Sequence, residues 1–170
     1  MTKPTISISF LLFLMAFLTL PGFASQTISP KKRAQLYNDL SKVWPFSQTV
    51  KVEYELVLAQ LEIMENDSLK KDYMNHYEDY VKDAYFDRLV RLNIRQGKLL
   101  LLLIHRELGK TPYELLRDFR NKERADFWQK FARLLGADLK EKYDPNVYPE
   151  IEEIVLELAA IKNHEYIPSK

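Results

Sequence analysis

Arginine is the residue type in this sequence whose placement most clearly suggests chemistry. Eight of the nine arginines lie between Arg88 and Arg133, a segment with 12 basic and 5 acidic residues. The guanidinium group is planar and carries a fork of N–H donors that matches a carboxylate or a phosphate. This segment is therefore a candidate contact surface for an anionic partner. The residues expected to form the surface are Arg91, Arg95, Arg106, Arg117, Arg120, Arg124 and Trp128.

The acidic flanks offer the same arginines an internal role. Residues 25–87 carry 8 basic and 11 acidic side chains, and residues 134–170 carry 4 basic and 8 acidic ones. Helical bundles often pair such charges across their surfaces, and each exposed pair adds only about 0–1 kcal/mol. The sequence leaves open whether the basic centre binds an outside anion or the acidic ends of its own chain. For Trp128, packing in the core is the alternative to stacking on a sugar or a partner.

An acidic stripe with one histidine is a candidate metal site. Asp79 and Asp83 repeat at helical spacing, and Asp72 and His76 share their face of the helical wheel. Carboxylates and imidazole can ligate a divalent cation. However, the stripe lies opposite the apolar face of its helix, so an ordinary solvated surface is the competing interpretation. We expect no cofactor.

His105 is the one candidate catalytic residue. It follows the apolar run 99–104 and could act as a general base in a helical cleft, although a lone histidine there more often has a structural role. The chain has no cysteine, which excludes thiol nucleophiles, thiolate zinc sites and disulfides. An envelope hydrolase that uses His105 or a carboxylate pair is therefore the alternative function.

The first 24 residues have the order of a secretory signal peptide. Lys3 is followed by an apolar stretch from Ile6 to Leu20 and by small residues that favour cleavage after Ala24. A retained anchor is the competing interpretation, because a spanning helix needs about 20 apolar residues. We expect an exported protein, periplasmic or secreted, with no transmembrane segment after cleavage and no nucleic-acid partner. The lack of cysteine favours a bacterial periplasm.

Helix signals account for most of the remaining chain and predict an all-α fold. Ser29 caps a helix that starts with proline, residues 93–96 and 111–114 are capping boxes, and Gly109 ends a helix. Pro45 predicts a break, because proline lacks the backbone donor. We expect one compact domain of about six to seven helices. They are predicted at about 29–43, 47–64, 69–91, 93–108, 111–119, 123–135 and 149–163.

Two of these helices carry distinct apolar patterns. The run from Leu99 to Ile104 is apolar on every side, which predicts the buried hub of the domain. The helix at 69–91 has one apolar face, formed by Met74, Tyr77, Val81, Ala84, Tyr85 and Leu92. Around these helices we divide the chain into a lead-in at 25–36, a helical domain at 37–163 and a flexible tail at 164–170.

Four segments in fixed order resemble a known family. They are Trp44-Pro-Phe46, the run from Gln96 to Gly109, Glu114 to Arg120, and Phe127 to Gly136 leading on to Tyr143-Asp-Pro145. Their order and spacing are similar to those of the domain-of-unknown-function family 4294, exported helical proteins of Bacteroidota. The resemblance covers about residues 37–145 and implies export and a helical fold. It implies no catalytic residues, because the family has no established activity.

Together these patterns favour a non-enzymatic binding or assembly module of the bacterial envelope. Its expected contact surface is the arginine-rich centre, and its expected partner is an anionic envelope component or an acidic protein. The envelope hydrolase remains the alternative, and the sequence does not identify the ligand.

Overall fold

The computed structural model describes residues 28–134 and 136–165, with all of their side chains except those of 82, 164 and 165. This part of the chain contains six helices and no strand, so the all-α prediction is confirmed. The helices are α1 (Pro30–Glu62), α2 (Asp67–Leu89), α3 (Ile94–Leu108), α4 (Pro112–Phe119), α5 (Lys122–Leu134) and α6 (Pro149–Glu165). The predicted signal peptide and residues 166–170 of the predicted tail lie outside the described residues. Residues 164 and 165 of that tail belong to α6.

Helix α1 runs through Pro45 without a break, so the prediction of two separate helices is wrong. Proline has no backbone N–H, so the carbonyl oxygen of Ser41 receives no helical hydrogen bond from it. Because Ser41 is exposed, water can donate a hydrogen bond to this oxygen instead. Leu40, Val43 and Ser47 are fully buried on both sides of the proline, which itself lies on the exposed face. Packing of this continuous apolar face therefore outweighs the cost of an interior proline, about 3 kcal/mol.

Helix α3 is the hub of the domain, as its apolar run predicts. It packs closely against α1, and α1 also packs against α6. The buried residues of this core are Leu40, Val43, Trp44, Leu99, Leu100, Leu102, Leu103, Ile151, Ile154 and Val155. Because α3 contributes apolar side chains around most of its circumference, it contacts helices on several sides.

Both predicted capping boxes are confirmed, and they fix where α3 and α4 begin. Asn93 Oδ1 accepts from the N–H of Gln96 at 2.9 Å, and Gln96 Oε1 accepts from the N–H of Asn93 at 3.2 Å. At α4, Glu114 Oε2 accepts from the N–H of Thr111 at 2.8 Å. Between the two helices Gly109 has φ 66°, a left-handed conformation that ends α3.

Helices α4 and α5 form a second, smaller packing unit. Its buried residues are Tyr113, Ala125, Ala132 and Leu139. Gln129, itself buried, donates to Asp138 Oδ1 at 2.7 Å and accepts from the N–H of Leu139 at 2.9 Å. This amide holds the loop after α5 against the helix, so the unit extends into the loop.

Helix α2 differs from the others because its backbone packs closely against no other described helix. Met74, Tyr77, Val81 and Tyr85 of its predicted apolar face are half-buried, but Ala84 is exposed, which corrects that part of the prediction. The half-buried residues line an open space instead of a packed core.

Candidate ligand-binding site

A cavity of about 720 Å³ separates α2 from a layer made by α1, α3, α4 and α5. Most of its wall is apolar. Representative residues, from several helices, are Val50, Val57, Leu100, Leu101, Ile104, Leu115, Leu116 and Phe119. Small-molecule sites in proteins are typically concave, mostly apolar and about 300–1,000 Å³ in volume. The cavity therefore has the size and the lining of a ligand site.

Glu53 of α1 holds α2 at one point along this cavity. Three tyrosine hydroxyls of α2 donate to its carboxylate: Tyr77 at 3.3 Å, Tyr80 at 3.1 Å and Tyr85 at 3.0 Å. Burial, together with the nearby Glu53 charge, raises the pKa of Tyr77. The hydrogen bond with Tyr80, followed by burial, raises the pKa of Tyr85. Both hydroxyls therefore keep their protons and remain donors.

The sequence reasoning missed Glu53. A usable signal was present, because tyrosines at 73, 77 and 80 fall on one side of a helix. In the structure these rings form a ladder, with centroids 6.3 Å apart for the first pair and 6.0 Å for the second. Tyr77 and Tyr80 of this ladder donate to Glu53 together with Tyr85, but the sequence does not say which of its many acidic residues is the acceptor.

Arg120, at the end of α4, holds α2 at a second point. Its Nη2 donates to the carbonyl oxygen of Met74 at 2.9 Å, and its Nη1 donates to Asn75 Oδ1 at 3.1 Å. It also forms an ion pair with Glu78 of α2. Arg124 lies on the other side of this carboxylate, with Nη2 at 4.0 Å from Glu78 Oε1. Two polar contacts, at Glu53 and at Arg120, therefore keep α2 in place above the cavity.

A second, more polar pocket of about 480 Å³ adjoins the cavity beside Arg120. The two spaces share Met74, Phe119, Arg120 and Arg124 as lining residues. The second pocket is also lined by two lysines of α2, Lys70 and Lys71, and by Asp118.

The cavity has an apolar rim that reaches solvent. Leu89, Ile94, Trp128 and Phe131 all line the cavity, yet each is at least 41 % exposed. The Trp128 ring packs edge-on against Phe131, with centroids 5.8 Å apart. Exposed large apolar patches mark interaction sites more often than isolated apolar residues do. Trp128, a predicted contact residue, therefore belongs to the cavity rim.

The structure brings only part of the predicted arginine surface to this site, namely Arg120 and Arg124 together with Trp128. Arg95 contacts the buried Asp39 of α1, with Nε at 2.5 Å from Oδ2. Arg117 pairs with its neighbour Asp118 at 2.9 Å. Arg91 is exposed just after α2, with no ion pair to another described side chain. The predicted contact residues are thus spread over several parts of the fold.

Arg106 lies in a polar cluster between α3 and α6. It donates to both carboxylate oxygens of Glu152 in α6, at 2.8 and 2.7 Å, and to Glu107 at 2.6 Å. The Tyr143 hydroxyl also donates to Glu152, at 2.7 Å. The Arg106 guanidinium lowers the pKa of Glu152 to about 2, and burial raises the pKa of Tyr143. This partly buried arginine connects α3 to α6.

His105 lies outside the cavity lining and has a structural contact. Its ring is half-buried, and Nδ1 accepts from the backbone N–H of Tyr143 at 3.0 Å. Because this lone pair already accepts a hydrogen bond, Nδ1 is not positioned to take a proton from a substrate. The hydrolase alternative therefore gains no support at His105.

The predicted metal ligands Asp72, His76, Asp79 and Asp83 are all exposed on α2. His76 Nδ1 lies 2.7 Å from the backbone carbonyl oxygen of Asp72, which makes the ring nitrogen a donor in this contact. Across residues 28–134 and 136–165, no three acidic or histidine side chains are grouped so that they could hold a metal ion. The stripe has the geometry of a solvated helix face.

Comparison with known proteins gives one match. The profile of a family described as Domain of unknown function (DUF4294) matches residues 21–157. Neither the curated proteins nor the solved structures contain a match to this chain. Within the described residues, no helix combines the length and apolar character needed to cross a membrane.

Proposed function

We propose, for a chain that belongs to the DUF4294 family, that it is a non-enzymatic binding protein of the bacterial envelope whose ligand occupies the cavity beneath α2. The single observation that carries this proposal is the apolar cavity of about 720 Å³. Its place in the envelope rests on the sequence, through Lys3, the apolar stretch 6–20 and the small residue Ala24.

The cavity opens to solvent along its apolar rim, so it is a cleft and not a closed packing defect. Protein interiors are packed as densely as organic crystals, and voids larger than a water molecule are few. An apolar space of this size would normally collapse, because its walls lose dispersion contacts. Here the contacts at Glu53 and Arg120 fix the position of α2 above the cavity, so the space is preformed. A preformed apolar site binds a ligand with little cost in ordering the protein.

Binding without catalysis is the better proposal because Glu53 and Arg120, two polar groups that line the cavity, are already engaged. Glu53 accepts from three tyrosines, and Arg120 contacts three groups of α2. General acid–base catalysis requires a titratable group within hydrogen-bond reach of the reacting atom. These two groups instead position a helix, which suits a binding site.

Gly97 provides a direct test of the cavity. It lies in α3 and lines the cavity, and a Cβ atom placed on it would meet nothing within 4 Å. Gly97→Phe should obstruct the part of the space next to α3, whereas Gly97→Ala should leave most of it open and stabilise α3 by about 0.5–1 kcal/mol. We expect the neutral fluorescent probe N-phenyl-1-naphthylamine to bind the unsubstituted protein and the alanine variant, and to bind the phenylalanine variant about tenfold more weakly or not at all.

Circular dichroism and thermal unfolding serve as controls for the fold of both variants. Leu156→Phe is a matched change on the exposed face of α6, away from the cavity, and should not alter probe binding. Equal probe binding by the folded Gly97→Phe and Gly97→Ala variants would contradict the proposal.

A further inference from the structure

The cavity and the basic pocket lie side by side and differ in chemical character, and Glu78, Arg120 and Arg124 all line the cavity itself. Four lining residues are common to both: Met74, Phe119, Arg120 and Arg124. The large part is apolar, and the residues of α2 that line it extend from Met74 to Leu89, about 22 Å at the rise of an α-helix. An elongated apolar space that ends at basic side chains matches an amphiphile with one long tail.

The charge of the smaller pocket favours a negative headgroup. Four of its lining residues are basic: Lys70, Lys71, Arg120 and Arg124. Two acidic residues oppose them, Asp118 in the pocket wall and Glu78 beside the arginines. Asp118 is already neutralised, because Lys110 at 2.7 Å and Arg117 at 2.9 Å bind it from outside the pocket. The pocket therefore keeps an excess of positive charge.

Glu78 shows which type of anion fits between the two arginines. Its carboxylate pairs with Arg120 and lies 4.0 Å from Arg124, so a carboxylate already occupies the position of a headgroup. The Glu78 side chain is 51 % exposed and can rotate into solvent. A ligand carboxylate could then take its place, because a guanidinium fork binds any carboxylate in the same geometry.

We propose that the ligand is a long-chain fatty acid. Its acyl chain lies in the apolar cavity beneath α2, and its carboxylate replaces that of Glu78 between Arg120 and Arg124. This inference rests on the proposed function, since it names the ligand class for the same cavity. It assigns the two arginines to headgroup recognition and Glu78 to competition with the headgroup.

The test compares two competitors that differ only in the headgroup. Protein purified from cells that express the full 170-residue chain is loaded with N-phenyl-1-naphthylamine and titrated with palmitate or with hexadecanol. We expect palmitate to displace the probe at about tenfold lower concentration, because the arginines form charge-assisted hydrogen bonds with its carboxylate that the hydroxyl of hexadecanol cannot match.

Substitutions at the basic pocket separate recognition from folding. Arg124→Gln and Lys70→Gln, alone and combined, should reduce the preference for palmitate and leave hexadecanol unchanged. Arg133→Gln, on the same helix and outside both pockets, is the matched control. Glu78→Gln should tighten palmitate binding severalfold, because the competing carboxylate is removed. A purely structural role of Glu78 would predict weaker binding of both competitors.

The outcomes distinguish the two proposals. If the probe does not bind at all, the proposed function fails. If the probe binds but palmitate and hexadecanol displace it equally, the fatty-acid inference is overturned and the binding function stands. Displacement by an amphipathic peptide but not by palmitate would also overturn the inference. Selective displacement by palmitate that Arg124→Gln abolishes would support it.

Discussion

Glu152 is the residue whose titration is most clearly tied to stability. Arg106 lowers the pKa of Glu152 from 4.5 to about 2 in the folded protein. A carboxyl group whose pKa falls on folding stabilises the protein above its unfolded pKa and loses that contribution as pH falls through the folded value. The stabilisation should therefore be complete above pH 4.5 and disappear towards pH 2.

We expect Glu152→Gln to lower the free energy of unfolding by about 2 kcal/mol at neutral pH, after allowance for solvent around the pair. Near pH 3 the difference from the unsubstituted protein should shrink. Urea unfolding at a series of pH values measures both quantities. Glu153→Gln is the control, because Glu153 is mostly exposed and pairs only with Arg33 among the described residues. A constant difference across the pH series would show that ionisation of Glu152 is not the cause.

At the scale of single residues, the sequence predicts local hydrogen bonds but not contacts between residues far apart in the chain. Local hydrogen bonds were predictable, because the capping boxes at Asn93 and Thr111 depend on a fixed spacing of three residues. The ion pair between Arg106 and Glu152 was not predictable, since the two residues are 46 positions apart and many other basic–acidic combinations were possible. The position of Arg120 and Arg124 beside a cavity likewise depends on how the helices pack.

Among the elements, α2 depends most on side-chain contacts for its position. Its backbone packs closely against no other described helix, and the Glu53–tyrosine contacts form one of its two attachments. Glu53→Ala should therefore raise amide hydrogen exchange in α2 by about tenfold or more, because a charged hydrogen-bond acceptor is lost. Exchange in α3 should stay unchanged. Mass spectrometry of deuterium uptake measures this, with Glu55→Ala on an exposed position of α1 as the control.

A result in which α2 and α3 exchange faster by the same factor would indicate global destabilisation, and it would contradict a specific role of Glu53 at α2.

Element boundaries were predictable where the signal is local. Helices α3 to α6 begin within a residue or two of their predicted starts, because caps and prolines mark them. The helix break predicted at Pro45 was wrong because the proline itself does not show that Leu40, Val43 and Ser47 are buried along one continuous face. The apolar face of α2 was also visible in the sequence, but periodicity does not distinguish a face that packs from a face that lines a cavity.

At the scale of the whole molecule, arginines from the basic centre of the sequence form ion pairs with acidic residues of the helices that come before and after it. Arg95 reaches α1, Arg106 reaches α6 and Arg120 reaches α2. Because many of these pairs are partly exposed, salt should screen them. We expect the free energy of unfolding in urea to fall by about 1–2 kcal/mol between low salt and about 1 M sodium chloride. No change, or a rise, would mean that packing alone carries the stability.

The separate attachment of α2 has a consequence for the order of folding. The core of α1, α3 and α6 and the unit of α4 and α5 each have their own buried residues, and neither needs α2 to complete them. Regions with few packing contacts open at low free-energy cost, independently of the rest of a protein. We therefore expect the docking of α2 to be the last step of folding. Its reversal would open the cavity, so on the proposed function ligand exchange and the reversal of this folding step are one movement.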